Sequence, residues 1–200
     1  MTTTGSDPRA YRRVMGLFAT GVSVMAVNTD DGVLGMTANS VASVSLDPLL
    51  VLVCVDRRAR IAAHLQIGRP FSLSFLRDDQ EVLSRYFAGG WREFPTPEHR
   101  FAAWDGAPRL IGALAAVRCV IDRLHDGGDH WIVVGRVDGL FSDDGHHNPL
   151  IFFAGRYRRL APLAPDAPPE HWGPDGVSIY YEEWSAPPHT AATKAGDAPE

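Results

Sequence analysis

Three short polar clusters hold the side chains of this chain best suited to chemistry. Thr37-Ala38-Asn39-Ser40 sets small residues beside an amide that both donates and accepts hydrogen bonds. Asp56-Arg57-Arg58-Ala59-Arg60 places three guanidinium groups within five residues, a source of charge-assisted and often bidentate contacts. Gly128-Asp129-His130 puts an imidazole at the opening of an apolar run. On pattern alone each also reads blandly: a polar turn between strands, a solvated arginine turn, and a turn residue opening a strand. Several other chemistries are excluded. Lys194 is the sole lysine, so the body has no lysine for a Schiff base, and no glycine-rich loop ends in Lys-Ser/Thr. No paired Cys/His spacing suggests zinc, and His146-His147 reads as a surface pair. Cys54 and Cys119 each sit in an apolar run and read as two buried free thiols in a reducing cytoplasm.

The 200 residues carry 19 basic and 24 acidic side chains, a net charge of −5, which argues against a nucleic-acid partner. Apolar residues make up 45% and charged residues 22%, ordinary values for a globular protein. No apolar run approaches the roughly 18 residues of a membrane helix. The opening MTTTGSDPRAYRR has no apolar signal segment, so a cytoplasmic location is expected. Composition changes near Leu160. Residues 1–160 hold 18 Arg against 17 acids, whereas 161–200 hold one Lys against seven acids and eight of the 15 prolines. The expectation is one domain over 1–160 and a Pro-rich, acidic, partly disordered extension over 161–200, in which IYYEEW is an aromatic patch able to dock or to line a pocket.

The elements that must position these clusters follow from periodicity. Residues 8–18 read as a helix capped by Asp7, with Tyr11, Val14, Met15 and Phe18 on one face. VSVMAV and VLGMTA read as strands about an Asp31-Gly32 turn, VASVSL as a half-buried strand, and LLVLVCV as a strand buried on both faces. ARIAAHLQIG reads as a short helix ending at Gly68, and FSLSFL as an alternating strand. DDQEVLSRYFAG reads as a helix capped by Asp78 or Asp79, with Gly89 past its end. Residues 91–108 read as a loop. Three further strands come from LIGALAAVRCVIDRLHD (helix left open at its alanines), HWIVVGRVDGLF (with a possible bulge at glycine) and LIFFAGRYRRL. Six or more strands in antiparallel order with a few helices predict a mainly β protein, a β-barrel with peripheral helices.

Three stretches in this order resemble the short-chain flavin reductase family, whose FMN-binding split-barrel proteins supply reduced flavin to two-component monooxygenases. They are residues 20–60 (TGVSVMAV through DRRAR), GGDHWIVVGRVDGL over 127–140, and PLIFFAGRYRRL over 149–160. The resemblance implies a split barrel, a homodimer, and hydride transfer from NADH or NADPH to FMN or FAD for a partner monooxygenase. It places the flavin at Gly35, Met36, Thr37, Ala38, Asn39 and Ser40, with Ser43 and Ser45 on the following strand. The family holds the flavin phosphate with small hydroxyl residues after the buried strand. Here arginines stand instead, with Arg58 and Arg60 the better candidates, Arg57 the weaker, and the amides of the following helix as support. His130 matches the family's GDH stretch near the nicotinamide site. Arg156 and Tyr157 match its GRY, although Tyr157 equally suits a barrel-closing core aromatic. Phe87 suits either a cover for the flavin's apolar face or a helix-end packing role. Alternatives on the same barrel are a self-contained flavoenzyme acting on a small organic substrate, a flavin-storage protein, and a structural module without a cofactor.

Overall fold

The computed structural model describes residues 7–90, 95–145 and 148–161. His146-His147 and the 161–200 extension with its IYYEEW patch, apart from Ala161, lie outside the described residues. In chain order the elements are α1 (Pro8–Met15), β1 (Thr20–Gly21), β2 (Ser23–Thr29), β3 (Gly32–Ala38), β4 (Val41–Leu46), β5 (Leu49–Asp56), a 3₁₀ turn (Arg60–His64), β6 (Pro70–Phe75) and α2 (Glu81–Phe87). Then follow β7 (Phe101–Trp104), β8 (Ala107–Leu110), β9 (Ala115–Gly127), β10 (His130–Ser142), β11 (Ile151–Phe153) and β12 (Arg156–Arg158). No described helix is long and apolar enough to cross a membrane.

Seven strands form one antiparallel sheet in the order β3-β2-β6-β9-β10-β5-β4. Its two edge strands are consecutive in the chain, joined by Asn39-Ser40 alone. The sheet must therefore curl until its edges meet, and this connector marks the split of the barrel. Ser40 fastens it: the Ser40 hydroxyl accepts from the Cys54 amide at 3.2 Å and reaches the Cys54 carbonyl at 3.2 Å.

Met25, Val27, Val53, Phe71, Leu73, Ile121 and Val133 fill the interior. A second cluster packs Leu83 of α2 with Val24, Leu76, Leu110 and Leu150. Residues 23–27 of β2 are consequently buried on both faces. β5 is not, which corrects the reading of LLVLVCV: Val51, Val53 and Val55 are buried, while Leu50, Leu52 and Cys54 are half-buried. Cys119 is buried, and burial pushes its thiol up to about 12, so it stays protonated and inert.

Other expectations are also corrected. VASVSL has no buried residue, because β4 is an edge strand paired with β5. The region 91–108 is not all loop: β7 and β8 form a hairpin about Asp105-Gly106, both at positive φ (44° and 87°). That hairpin covers β6, where the Ser72 hydroxyl donates to the Pro108 carbonyl at 2.5 Å and the Leu110 amide donates to Ser74 Oγ at 3.2 Å. Both serines are therefore buried rather than facing solvent. The helix expected over ARIAAHLQIG is only the 3₁₀ turn ending at His64. Gln80, not Asp78 or Asp79, caps α2, without a side-chain cap bond. The last strand folds into two, β11 and β12, turning at Ala154-Gly155. Asp7 does cap α1, accepting from the Arg9 and Ala10 amides at 2.9 and 3.2 Å.

Gly135 in β10 is fixed by close approach. A Cβ there would sit 2.5 Å from Phe71 Cζ and 3.1 Å from Cys119 Cβ, both in fully buried side chains. Gly135→Ala is expected to destabilise the fold by about 1–3 kcal/mol, as overpacking does. The urea midpoint reads this; an unchanged midpoint would show that Phe71 can yield.

Candidate functional site

A cavity of about 760 Å³ opens between β3, the end of β5, the 3₁₀ turn and the C-terminal end of α2. Its floor is the strand Gly35-Met36-Thr37. Gly35 has no side chain, and the Phe87 ring occupies the space over its backbone. A Cβ on Gly35 would fall 2.7 and 2.8 Å from two carbons of that ring.

Phe87 belongs to an aromatic wall. Its ring centroid lies 5.2 Å from Tyr86, 5.1 Å from His99 and 6.0 Å from Phe101, all at steep angles. His99 Nδ1 lies 2.8 Å from the Pro97 carbonyl oxygen. A carbonyl only accepts, so Nδ1 carries the proton and Nε2 is the nitrogen left for another partner.

The facing wall is charged, with Asp56, Arg58 and Arg60. Arg58 grips Asp56 through two contacts of 3.1 and 2.7 Å, and its amide donates to the same carboxylate at 2.8 Å. These hydrogen bonds hold Asp56 well below the usual carboxylate range and raise Arg58. Arg57 points elsewhere. It donates to the Gly128 carbonyl at 2.8 Å, pairs with Asp126 at 2.6 Å, and lies 3.9 Å from the centre of the Trp131 ring. Its amide donates to the Asp129 carbonyl. Arg57 thus fastens the 126–131 turn to the end of β5.

His130, in that turn, stands opposite Asp56 in the β5–β10 register, at the margin of the charged wall. Its Nδ1 lies 2.7 Å from Asp129 Oδ1, and this hydrogen bond keeps the Asp129 carboxyl below its ordinary value.

Of the residues named from the sequence, Gly35, Met36, Thr37, Arg58, Arg60 and Phe87 line the cavity together. The others stand apart from its lining. Ala38 is buried in the core. Asn39, Ser40 and Ser43 are exposed along the connector and β4, and half-buried Ser45 accepts from the Asp47 amide at 3.2 Å. Arg156 is exposed on β12. Tyr157 packs on Phe152 at 5.3 Å and bonds Ser84 Oγ at 2.8 Å, which is the barrel-packing role. The Thr37 hydroxyl donates to the Ser84 carbonyl at 2.7 Å, so a chain of contacts ties the floor to α2 and β12. The helix amides expected to support a phosphate are not there, because a five-residue 3₁₀ turn replaces the helix.

Tyr86, His99 and Asp56 line the cavity without having been read as site residues. Tyr86 carried a signal as the neighbour of Phe87. His99 carried none, since its approach depends on the unforeseen β7–β8 hairpin.

A family model described as "Flavin reductase like domain" matches residues 15–161. An NADH-dependent flavin reductase from Rhodococcus sp is 41% identical over 170 residues, covering 83% of this chain and 92% of that protein. The reductase subunit HsaB of a flavin-dependent monooxygenase from Rhodococcus jostii is 37% identical over 166 residues, covering 78% and 80%. Among solved structures, the Streptomyces globisporus NADH:FAD oxidoreductase SgcE6, in complex with NAD and FAD fragments, superposes with a TM-score of 0.72. It has 38% identity and covers 84% of this chain and all of that one.

Proposed function

This chain belongs to the flavin reductase like domain family, and on that footing we propose that it is an NADH-dependent flavin reductase supplying reduced flavin to a partner monooxygenase. The observation that carries the reading is the cavity itself: a strand floor at 35–37, an aromatic wall led by Phe87, and arginines facing it. A flat heteroaromatic ring with polar edges and a phosphate tail fits such a donor set. A flavin held there would supply the hydride-accepting ring for a dihydronicotinamide.

The protein's own work is binding, orientation and polarity. In this reading the floor strand lies along the ring, Phe87 and Tyr86 cover apolar surface, and Arg58 and Arg60 neutralise phosphate. His130, held by Asp129, stands where a nicotinamide nucleotide approaches from the β9–β10 turn. None of these roles requires a side chain to exchange a proton in the hydride step. His130→Ala is therefore expected to raise the KM for NADH several-fold with kcat nearly unchanged. Complete loss of flavin reduction in a folded variant would overturn that role.

The chain is further proposed to act as a homodimer. Tyr11, Val14 and Phe18 of the N-terminal segment are 66%, 67% and 70% exposed, and Val44 and Leu46 of β4 are also open. Large apolar side chains left this bare mark an association surface. Size-exclusion chromatography should return the mass of two chains; a monomer at micromolar concentration would reject the dimer. Asn39, Ser40 and Ser43, exposed beside Val44, would then lie near the partner's surface. Free Cys54 and Cys119 support a reducing, cytoplasmic location. The family match ends at residue 161, which supports treating 161–200 as an extension to a catalytic body.

The experiment is a spectrophotometric assay crossing NADH and NADPH with FMN, FAD and riboflavin. NADH consumption that depends on added flavin is the expected result; no consumption with any pairing would reject the function.

A further inference from the structure

Of the three arginines at 57, 58 and 60, Arg57 alone stays out of the cavity lining. Its side chain crosses from the end of β5 to the turn between β9 and β10. Resting on the flavin-reductase reading, we propose that Arg57 is a positioning residue for the nicotinamide nucleotide. It braces the turn that carries His130 and acts through that turn, without touching a cofactor phosphate itself.

The turn needs a brace. Gly128-Asp129 is a two-residue hairpin loop with Gly128 at φ 77°. The Asp126 and Asp129 side chains are 78% and 79% exposed, so no packing anchors them. The His130 ring bonds its neighbour Asp129, and a shift of the loop carries the imidazole with it. Arg57 holds the loop by three contacts of one rigid, planar group. Its Nε donates to the Gly128 carbonyl at 2.8 Å, its Nη2 donates to Asp126 Oδ2 at 2.6 Å, and its guanidinium lies 3.9 Å from the centre of the Trp131 ring. Asp126 Oδ1 in turn accepts from the Gly128 amide at 2.9 Å. An ion pair with so exposed a carboxylate is weak alone, and the brace lies in the combination. The Arg57 amide also donates to the Asp129 carbonyl at 3.0 Å. That backbone bond survives substitution, so a variant removes the side-chain brace alone. A loop that visits other positions presents His130 in place for a fraction of the time, and apparent affinity falls by that fraction.

The test is a double-variant cycle on the full chain with Arg57→Ala and His130→Ala. Arg57→Ala is expected to raise the KM for NADH about fivefold with kcat nearly unchanged, while the Kd for FMN, read by fluorescence quenching, stays within about twofold. Hydrogen exchange of the flavin-free variant, read by mass spectrometry, should quicken over 126–131 and not elsewhere. The double variant should match His130→Ala in KM, because both changes act through one group. An unchanged KM, unchanged exchange over 126–131, KM rises that multiply in the double variant, or a Kd for FMN that rises in step would overturn the inference and leave the flavin-reductase reading in place. A wild-type KM in His130→Ala would reject the role of His130 and that of Arg57 with it. No flavin-dependent NADH consumption by the wild type would reject the flavin-reductase reading as well. Should Arg57→Ala fail to fold by circular dichroism, Asp126→Asn keeps an acceptor for the Gly128 amide, loses the ion pair, and is judged by the same outcomes with a smaller rise in KM.

Discussion

Gly35→Val is expected to weaken flavin binding by at least about a hundredfold, close to 3 kcal/mol, while leaving the fold intact. The reason is a single close approach. Any Cβ at residue 35 lands 2.7–2.8 Å from carbons of the Phe87 ring, inside the range that real contacts avoid. Phe87 cannot retreat into the wall behind it, because Tyr86, His99 and Phe101 already pack around its ring. The ring must swing into the cavity, onto the floor proposed for the flavin. The sheet itself has little to lose, since valine suits a strand and β3 is an edge paired with β2. Gly35→Ala should fall between wild type and valine. Fluorescence quenching gives the Kd and a urea titration the stability. Wild-type affinity in a folded Gly35→Val protein would place the flavin elsewhere.

Removing the guanidinium groups of Arg58 and Arg60 together is expected to raise the Kd for FMN and FAD by about a hundredfold. Charge-assisted hydrogen bonds to a phosphate are among the stronger polar contacts, and solvent screening weakens them at an exposed side chain such as Arg58. Arg58 carries an additional effect. Its loss leaves the Asp56 carboxylate, ionised and now unpaired, at the wall that the phosphate must approach. Riboflavin is the control, because it has the ring without the phosphate. Its affinity should change by less than about twofold. An equal loss for riboflavin would mean that the arginines act on the ring or on the fold. Added salt should weaken the phosphorylated flavins in the wild type and have less effect on the double variant.

The strands were legible because most of them alternate or run apolar for five residues or more, and the sheet uses them in antiparallel order. Burial was less legible, because it depends on what covers each face. Ser72 and Ser74 look solvent-facing in FSLSFL until the β7–β8 hairpin is laid over them. That hairpin had its signal in Asp105-Gly106, hidden within a proline-rich stretch. LLVLVCV appeared doubly buried because its residues are all apolar, yet β5 lies beside an edge strand and half of its side chains reach the surface.

At the site, Gly35 to Thr37, Arg58, Arg60 and Phe87 could be named because short motifs carry them, and the fold brings them to one cavity. Tyr157, Ser40 and Ser45 carry the same kinds of polar atom, but partners distant or local engage those atoms first. His99 enters through tertiary packing alone. No spacing in the chain relates it to Phe87, 5.1 Å away between ring centres.

The central claim is that the cavity over Gly35-Met36-Thr37 holds a flavin within reach of a dihydronicotinamide. Its most direct test is anaerobic mixing of purified protein, one equivalent of FAD, and NADH, with the visible absorption of oxidised flavin followed over time. Rapid bleaching by the wild type, and bleaching no faster than the protein-free reaction in the folded Gly35→Val variant, is the predicted outcome. A wild type that leaves the flavin band unchanged, or a valine variant that bleaches it as fast as the wild type, would contradict the claim.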